Sequence, residues 1–386
     1  MATDPNAAED RTRLGHQAEL SEDDRHLSVE PGTAGSPGAW ASTVDSSRQR
    51  PKRTALGVED YVQGVASGDR AVLARAITLM ESARPSDRQT ARAVLTQLMP
   101  RTGKAMRIGI TGVPGVGKST FIDRFGMDRL AEGAKLAVLA VDPSSSVTGG
   151  SILGDKTRMA KLGREPGAFV RPSPAGRTLG GVARATREAM LLCEAAGFDL
   201  VLVETVGIGQ SETVVSEMTD VFLALMLPGA GDELQGIKRG LIELADVLAV
   251  NKADGEAKPA AERAAAEYRG ALRCMQPRHP DWATPVLTCS AATGDGLDKL
   301  WARLSAYHGL LTQTGELEAR RQQQSLRWVW AQVEDRLREA LRRDAQVSAM
   351  APDIEKQVAQ GDLPATVAAD QIVDAFLRAR PEVQTP

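Results

Sequence analysis

The chain has 386 residues, with 47 Lys and Arg against 50 Asp and Glu and a formal net charge of −3. That length allows one large core plus appended pieces, since single domains run to about 100–250 residues, and the near-balanced charge gives no reason to expect a nucleic-acid or anionic-membrane partner. Cys193, Cys274 and Cys289 are too few and too widely spaced for a disulfide framework; no apolar run reaches the ~20 residues of a membrane helix, and the acidic start "MATDPNAAEDR" resembles neither a signal nor a transit peptide, so a soluble cytoplasmic protein is expected.

Residues 1–52 are rich in Ala, Ser, Pro, Gly, Asp and Glu and poor in large apolar side chains. Such a segment cannot offset the entropy of ordering itself and is expected to be a disordered tail. Across 53–104 the stretches "VEDYVQGVASGDRAVLARAITLMES" and "PSDRQTARAVLTQLM" carry apolar residues at three-to-four spacing, which predicts a helical extension with Ser86 and Asp87 capping its second helix. Residues 105–312 alternate short β-rich runs ("MRIGITG", "KLAVLAVD", "LVLVETVG", "VFLALML", "VLAVNKAD", "PVLTCSA") with helical stretches. That alternation predicts an α/β domain, a mostly parallel sheet covered by helices on both faces. In 313–386 a long helix places Leu326, Val329, Trp330, Val333, Leu337 and Leu341 on one stripe, and a shorter helix follows near Val367 to Leu377. The stripe could dock on the chain's own core or form a dimer interface.

"GVPGVGKST", Gly112, Val113, Pro114, Gly115, Val116, Gly117, Lys118, Ser119 and Thr120, lies between a predicted strand and a predicted helix and fits G-x-x-x-x-G-K-[ST]. Glycines let such a loop wrap closely, so that backbone N–H groups and the helix N-terminus face phosphates. Lys118 would reach the β- and γ-phosphates and Ser119 would offer its hydroxyl to Mg²⁺. Base identity comes from Asn251, Lys252, Ala253 and Asp254 at a strand end. An Asp carboxylate accepts from both guanine N1–H and N2–H₂ but meets only acceptor or C–H edges on adenine, so Asp254 selects GTP and GDP over ATP; Asn251 would face the N7 side and the Lys252 stem would lie along the base. "TCSAATG", with Ser290, Ala291 and Ala292, resembles the loop whose backbone N–H meets guanine O6.

Between these motifs stands "ETVG", where most GTP-hydrolysing switch proteins carry Asp-x-x-Gly. Glu204 keeps the charge and reaches one methylene further, which suits a Mg²⁺-side role, and the Gly207 N–H would sense the γ-phosphate. Asp142, ending its strand, and Asp155, in a Gly/Ser-rich loop, are further candidate Mg²⁺ or water ligands, with helix caps and solvated loop charges as the alternative. The loop "PGAGDELQGIKRG", with Asp232, Gln235 and Lys238, has the glycines of a moving switch, and Gln235 or Lys238 could approach the γ-phosphate or a partner.

Together "GVPGVGKST", "VDPSSSVTGGSILGDKTRM", "SPAGRTLGG", "ETVGIGQSE", "PGAGDELQGIKRG" and "NKAD" closely resemble the MeaB/ArgK family, G-protein chaperones of adenosylcobalamin-dependent methylmalonyl-CoA mutase and related acyl-CoA mutases. The match runs from about Gly57 to Leu377, and Glu in place of Asp is a mark of that wider group of GTPases. The resemblance implies a homodimeric P-loop GTPase with an N-terminal helical extension and a C-terminal dimerisation arm, which binds the mutase, gates cofactor delivery and assists removal of inactivated cobalamin. It also implies Asp142, Asp155, Ser119 and Glu204 around Mg²⁺, and a switch around Gln235 and Lys238 that contacts the mutase. Ile208 stands directly after Gly207, where a water-positioning Gln would be expected, so slow intrinsic hydrolysis sped by the partner is implied, with Gln210 and Lys238 as hypothetical contributors. A nickel-inserting metallochaperone would need a metal depot, and only four His and no CxxC are present; an ATP-dependent transport kinase conflicts with the guanine set; a GTP-regulated scaffold shares the nucleotide site.

Overall fold

The apolar runs between residues 106 and 288 carry branched or large side chains on both faces, so each is stable only with a layer packed on either side. Six form strands as expected: β1 (Met106–Gly112), β2 (Leu136–Val141), β4 (Leu200–Thr205), β5 (Val221–Met226), β6 (Val247–Val250) and β7 (Val286–Thr288). With β3 (Ala168–Arg171) they make one parallel seven-stranded sheet of order β3-β2-β4-β1-β5-β6-β7. The computed structural model describes residues 56–82, 84–141, 159–172, 179–205, 211–228 and 235–378, so the expectation for residues 1–52 falls outside the described residues.

Twelve α-helices are described. In the lead-in lie α1 (Val58–Ala66), α2 (Arg70–Glu81) and α3 (Pro85–Leu98). Around the sheet lie α4 (Lys118–Ala131), α5 (Leu179–Ala195), α6 (Ser211–Ser216), α7 (Gln235–Leu244), α8 (Lys258–Arg273) and α9 (Leu297–Gln313), and the C-terminal part is α10 (Glu316–Arg343), α11 (Ala345–Gln360) and α12 (Ala365–Arg378).

The period of two in each strand divides the side chains between layers. Ile108, Ile110, Val138, Leu202 and Leu223 meet α4 and α9 on one face, whereas Ala137, Leu139, Val201, Val203 and Phe222 meet α5 and the lead-in helices on the other. Ile108 and Ile110 are fully buried, which stabilises the fold by roughly 1.5–3 kcal/mol each. The lead-in helices are thus part of the layer over β2 and β4, through Val65, Leu73, Ile77, Val94 and Leu98.

Two expectations are corrected here. The first lead-in stretch is two helices, because Ser67-Gly68-Asp69 breaks it: Gly68 takes a positive φ of 78° and the Asp69 carboxylate caps α2 by accepting from Ala71 N at 2.8 Å and Val72 N at 3.1 Å. Ser86 and Asp87 do not cap α3, which begins at Pro85, a residue pre-set for a first helical turn; Asp87 instead accepts from the Ser82 hydroxyl at 2.6 Å. β3 and α11 were also unforeseen. "AFVR" is too short to show a period and is held by its register with β2, from Leu136↔Ala168 to Leu139↔Arg171, and the periodicity of α11 is masked by an internal Pro352.

The long helix α10 is gripped at its start. Asp220 and Asp246, both buried at the foot of the sheet, cap backbone N–H groups of Arg107 and Phe222 at 2.8 Å each. Arg321 closes on Asp220 at 2.8 and 2.6 Å, and Arg320 on Asp246 at 3.8 Å. Beyond that root the stripe is open: Leu326, Val329, Trp330, Val333 and Leu337 are between 37% and 67% exposed. Among the described residues these five side chains are not docked on the chain's own core.

Candidate functional site

The site lies at the carboxyl ends of β1, β4 and β6, where open α/β sheets bind ligands. β1 runs directly into Gly112, and an added Cβ there would stand 2.4 Å from the Leu225 carbonyl of β5. Gly115 and Gly117 take φ of 77° and 89°, so the loop curls back and delivers the start of α4 at Lys118. Pro114 and Gly115 form the exposed tip; Val113 and Val116 are buried beneath it, and Thr120 is exposed on the first turn of α4.

Lys118 is buried, and its Nζ donates to the Gly112 carbonyl at 2.7 Å and to that of Val113 at 3.4 Å. Burial holds its pKa below the ordinary lysine value, against the opposing pull of the Glu204 and Glu212 carboxylates. Ser119 turns the other way, its hydroxyl donating to Glu204 Oε1 at 3.2 Å. The register explains the meeting: β4 lies beside β1, with Ile110 opposite Glu204, so the carboxylate emerges next to the loop. Below it the Thr205 hydroxyl donates to that of Thr111 at 2.9 Å, tying the two strand ends.

Two hard oxygen donors therefore converge under the phosphate loop, the kind of ligand Mg²⁺ takes. Asp142, Asp155, Gly207, Ile208 and Gln210 lie outside the described residues, as does Asp232. Gln235 and Lys238 fall in α7, with their side chains outside the described set.

The base-recognition motif is built from three short connections. Asn251 Nδ2 donates to the Val116 carbonyl at 2.7 Å, and its Oδ1 accepts from Ala291 N at 3.1 Å. The residue thereby ties the phosphate loop, β6 and the 290–292 loop together and retains one amide proton for a base. Lys252 has φ 61°, the one non-glycine residue with positive φ among the described residues, and this strained turn places Asn251 and Asp254 on either side of an exposed lysine stem. The Ser290 hydroxyl donates to Asp254 Oδ1 at 2.7 Å and aims the carboxylate. Two sequence expectations shift: Ser290 is fully buried and acts on Asp254, and the Ala291 N–H serves Asn251 in this arrangement, whereas Ala292 stays exposed at the loop's edge.

Glu212 was missed. It sits on α6, 7% exposed, its pKa raised by burial against its own backbone hydrogen bond and the Lys118 charge. The signal was an acidic residue placed just past a glycine-containing loop and before the apolar Val214-Val215.

The parallel sheet with a glycine loop after its central strand, a Ser–Glu pair beneath that loop and an Asp-bearing guanine turn define a P-loop GTPase. The family model described as "Methylmalonyl Co-A mutase-associated GTPase MeaB" matches residues 73–346, and the chain belongs to that family. Similar relatives include a Caulobacter vibrioides protein described as "Putative GTPase", 58% identical over 83% of this chain and 98% of its own length, and "GTPase ArgK" of Escherichia coli, 48% identical over 72% and 83%. "Methylmalonic aciduria type A homolog, mitochondrial" of Mus musculus is 42% identical over 83% and 79%. Among solved structures, one described as "LAO/AO transport system kinase" is 37% identical with a TM-score of 0.67, covering 83% of this chain and 97% of that one. Among the described residues no helix is long and apolar enough to cross a membrane.

Proposed function

We propose that this GTPase binds GTP with Mg²⁺, hydrolyses it slowly, and acts as a homodimeric chaperone of an adenosylcobalamin-dependent methylmalonyl-CoA mutase. It would gate cofactor loading and assist reactivation. The observation that carries the nucleotide part is the 3.2 Å Ser119–Glu204 contact under the loop that also holds Lys118. The family description and the mouse relative's name support the client, a mutase of the methylmalonyl-CoA type.

In this reading Lys118 leaves the loop carbonyls and follows the β- and γ-phosphates, whose charge replaces that of Glu204 and Glu212 as its partner. Ser119 and Glu204 would hold Mg²⁺, with Asp142 and Asp155 completing the set, and the ion would neutralise charge developing on the phosphates. Asp254 accepts from guanine N1–H and N2–H₂, Asn251 gives its remaining amide proton to the N7 side, and Lys252 covers the base. Gly207 and the α7 residues Gln235 and Lys238 act at the γ-phosphate and towards the mutase. The open stripe on α10 supports the dimer: five large apolar side chains exposed on one helix face are unusual for a surface in water. A cytoplasmic setting belongs to the same proposal.

GTP turnover by the purified chain, with and without the host's methylmalonyl-CoA mutase and with ATP as control, tests the reading. Stimulation confined to GTP and to the mutase supports it. Turnover indifferent to the mutase removes the client, and equal use of ATP removes the guanine assignment.

A further inference from the structure

The segment joining α6 to β5, residues 217–220, is gripped by the root of the arm. Gln324, the one buried residue of the 28-residue α10, donates from Nε2 to the Thr219 carbonyl at 2.9 Å. Arg187 of α5 bridges the same two parts: Nη2 donates to the Glu217 carbonyl at 2.9 Å, Nη1 to the Gln324 carbonyl at 2.8 Å, and its guanidinium lies 5.0 Å from the Trp328 ring centroid. Arg320 donates to the Asp220 carbonyl and Arg321 to the Asp220 carboxylate. Three carbonyls in four residues, those of Glu217, Thr219 and Asp220, thus take hydrogen bonds from side chains that are on the arm or bonded to it.

This segment leads into β5, and it lies hard against the strand that leads into the phosphate loop. Gly109 of β1 has no side chain because a Cβ there would stand 2.6 Å from Phe222, 2.8 Å from the Thr219 hydroxyl and 2.9 Å from Val215. Gly112, where the loop begins, is three residues further on. Close packing of this sort transmits displacement rather than absorbing it. A cavity of about 190 Å³ lies between α5, α6 and α10, lined by Arg187, Val214, Met218 and Trp328.

We propose that Gln324 and Arg187 are positioning residues for GTP hydrolysis: through residues 217–220 the arm root holds α6, which carries Glu212, against the strand that leads into the phosphate loop. The inference rests on the GTPase reading above and adds to it a route by which the arm acts on the chemistry. Neither residue touches nucleotide, so their removal lowers the rate of the chemical step and leaves nucleotide affinity in place.

Full-length wild type, Gln324→Leu and Arg187→Lys are compared for single-turnover GTP hydrolysis, for affinity towards a fluorescent GDP analogue, and for mass by light scattering. Leu fills the space of Gln324 without a donor for Thr219, and Lys keeps the charge of Arg187 while losing the double bridge and the ring contact. The expected result is at least a fivefold slower single turnover in Gln324→Leu and at least threefold in Arg187→Lys, with GDP affinity within twofold and mass unchanged. Hydrolysis at the wild-type rate in the folded variants overturns the inference, as does a loss of GDP affinity in proportion to the rate. Should Gln324→Leu fail to fold, Arg187→Lys decides by the same two readings. Wild type that binds GTP without hydrolysing it overturns the underlying functional reading instead.

Discussion

The Ser119 hydroxyl stands 3.2 Å from Glu204 Oε1 although 85 residues separate the two in the chain. One comes from the first turn of α4 and the other from the end of β4, and both converge on the space beneath the phosphate loop. Glu204→Gln keeps the shape and removes the charge. GTP hydrolysis is expected to fall by about 10²-fold or more, the order seen when one electrostatic group at the reacting centre is lost, while GDP still binds. Hydrolysis near the wild-type rate in this variant would remove Glu204 from the metal side.

In the proposed function Asp254, which accepts from the Ser290 hydroxyl at 2.7 Å, sets the base. Asp254→Asn replaces one acceptor by a donor, so guanine N1–H and N2–H₂ meet an N–H and GTP affinity drops by about 10²-fold or more, since a buried donor left facing a donor is costly. The same substitution should favour xanthosine triphosphate, whose 2-oxo group accepts. Competition binding of the two nucleotides reads the exchange, and retained preference for GTP would count against this placement of the base.

The α10 stripe predicts an association that a single charge breaks. Trp330 is 67% exposed in the single chain, and Trp330→Glu places a carboxylate in the middle of an apolar face. Light scattering should show twice the chain mass for wild type and the chain mass for the variant. A single-chain mass for wild type, or a dimer that survives Trp330→Glu and Leu337→Glu together, would move the interface elsewhere.

Nucleotide binding should take up protons in alkaline buffer. Lys118 is held below its ordinary value of 10.5 by burial in the nucleotide-free fold, and phosphate charge favours its protonated form. As pH rises through the depressed pKa the lysine arrives neutral and must acquire a proton to bind, so affinity falls from that point upwards. For the fold alone the sign is opposite: the unfolded chain holds the proton more tightly, so deprotonation favours the folded state between the depressed value and 10.5. Calorimetry in two buffers of different ionisation enthalpy, repeated as the pH is raised towards 10.5, measures the uptake directly, and identical heats in both buffers at every pH would refute it.

Thiol labelling separates the three cysteines. Cys193 and Cys289 are buried and Cys274 is exposed. Burial pushes the Cys289 thiol up to about 12, and burial together with the neighbouring Glu194 raises Cys193 as well, so neither forms thiolate at pH 8. A disulfide reagent should modify one thiol in the native protein and three after denaturation. Labelling of two or more in the native state would contradict the packing around α5 or β7.

Most of the sheet was legible because a strand buried on both faces must be apolar throughout, and six such runs stand out against their polar surroundings. β3 was not, since "AFVR" owes its conformation to β2 rather than to any pattern of its own. The break at Ser67-Gly68-Asp69 was readable in principle, as Gly followed by Asp is a stop and a cap. α11 was hidden by Pro352, which sits eight residues into the helix.

The sequence by itself determined the class of protein, a P-loop GTPase, and it supplied the proposed roles of residues 112–120, Glu204 and the Asn251–Asp254 turn, because each such motif uses a few side chains at short spacing. Only the tertiary structure decided how those groups serve one another. Asn251 turned out to brace the phosphate loop through Val116, Ser290 to aim Asp254, and Glu212 to lie within the field of Lys118. It also decided that the α10 stripe faces outwards while Gln324 faces in, because orientation about a helix axis depends on what the first turns grip. Asp220 and Thr219, a hundred residues away in the chain, become neighbours of that helix only when the sheet closes.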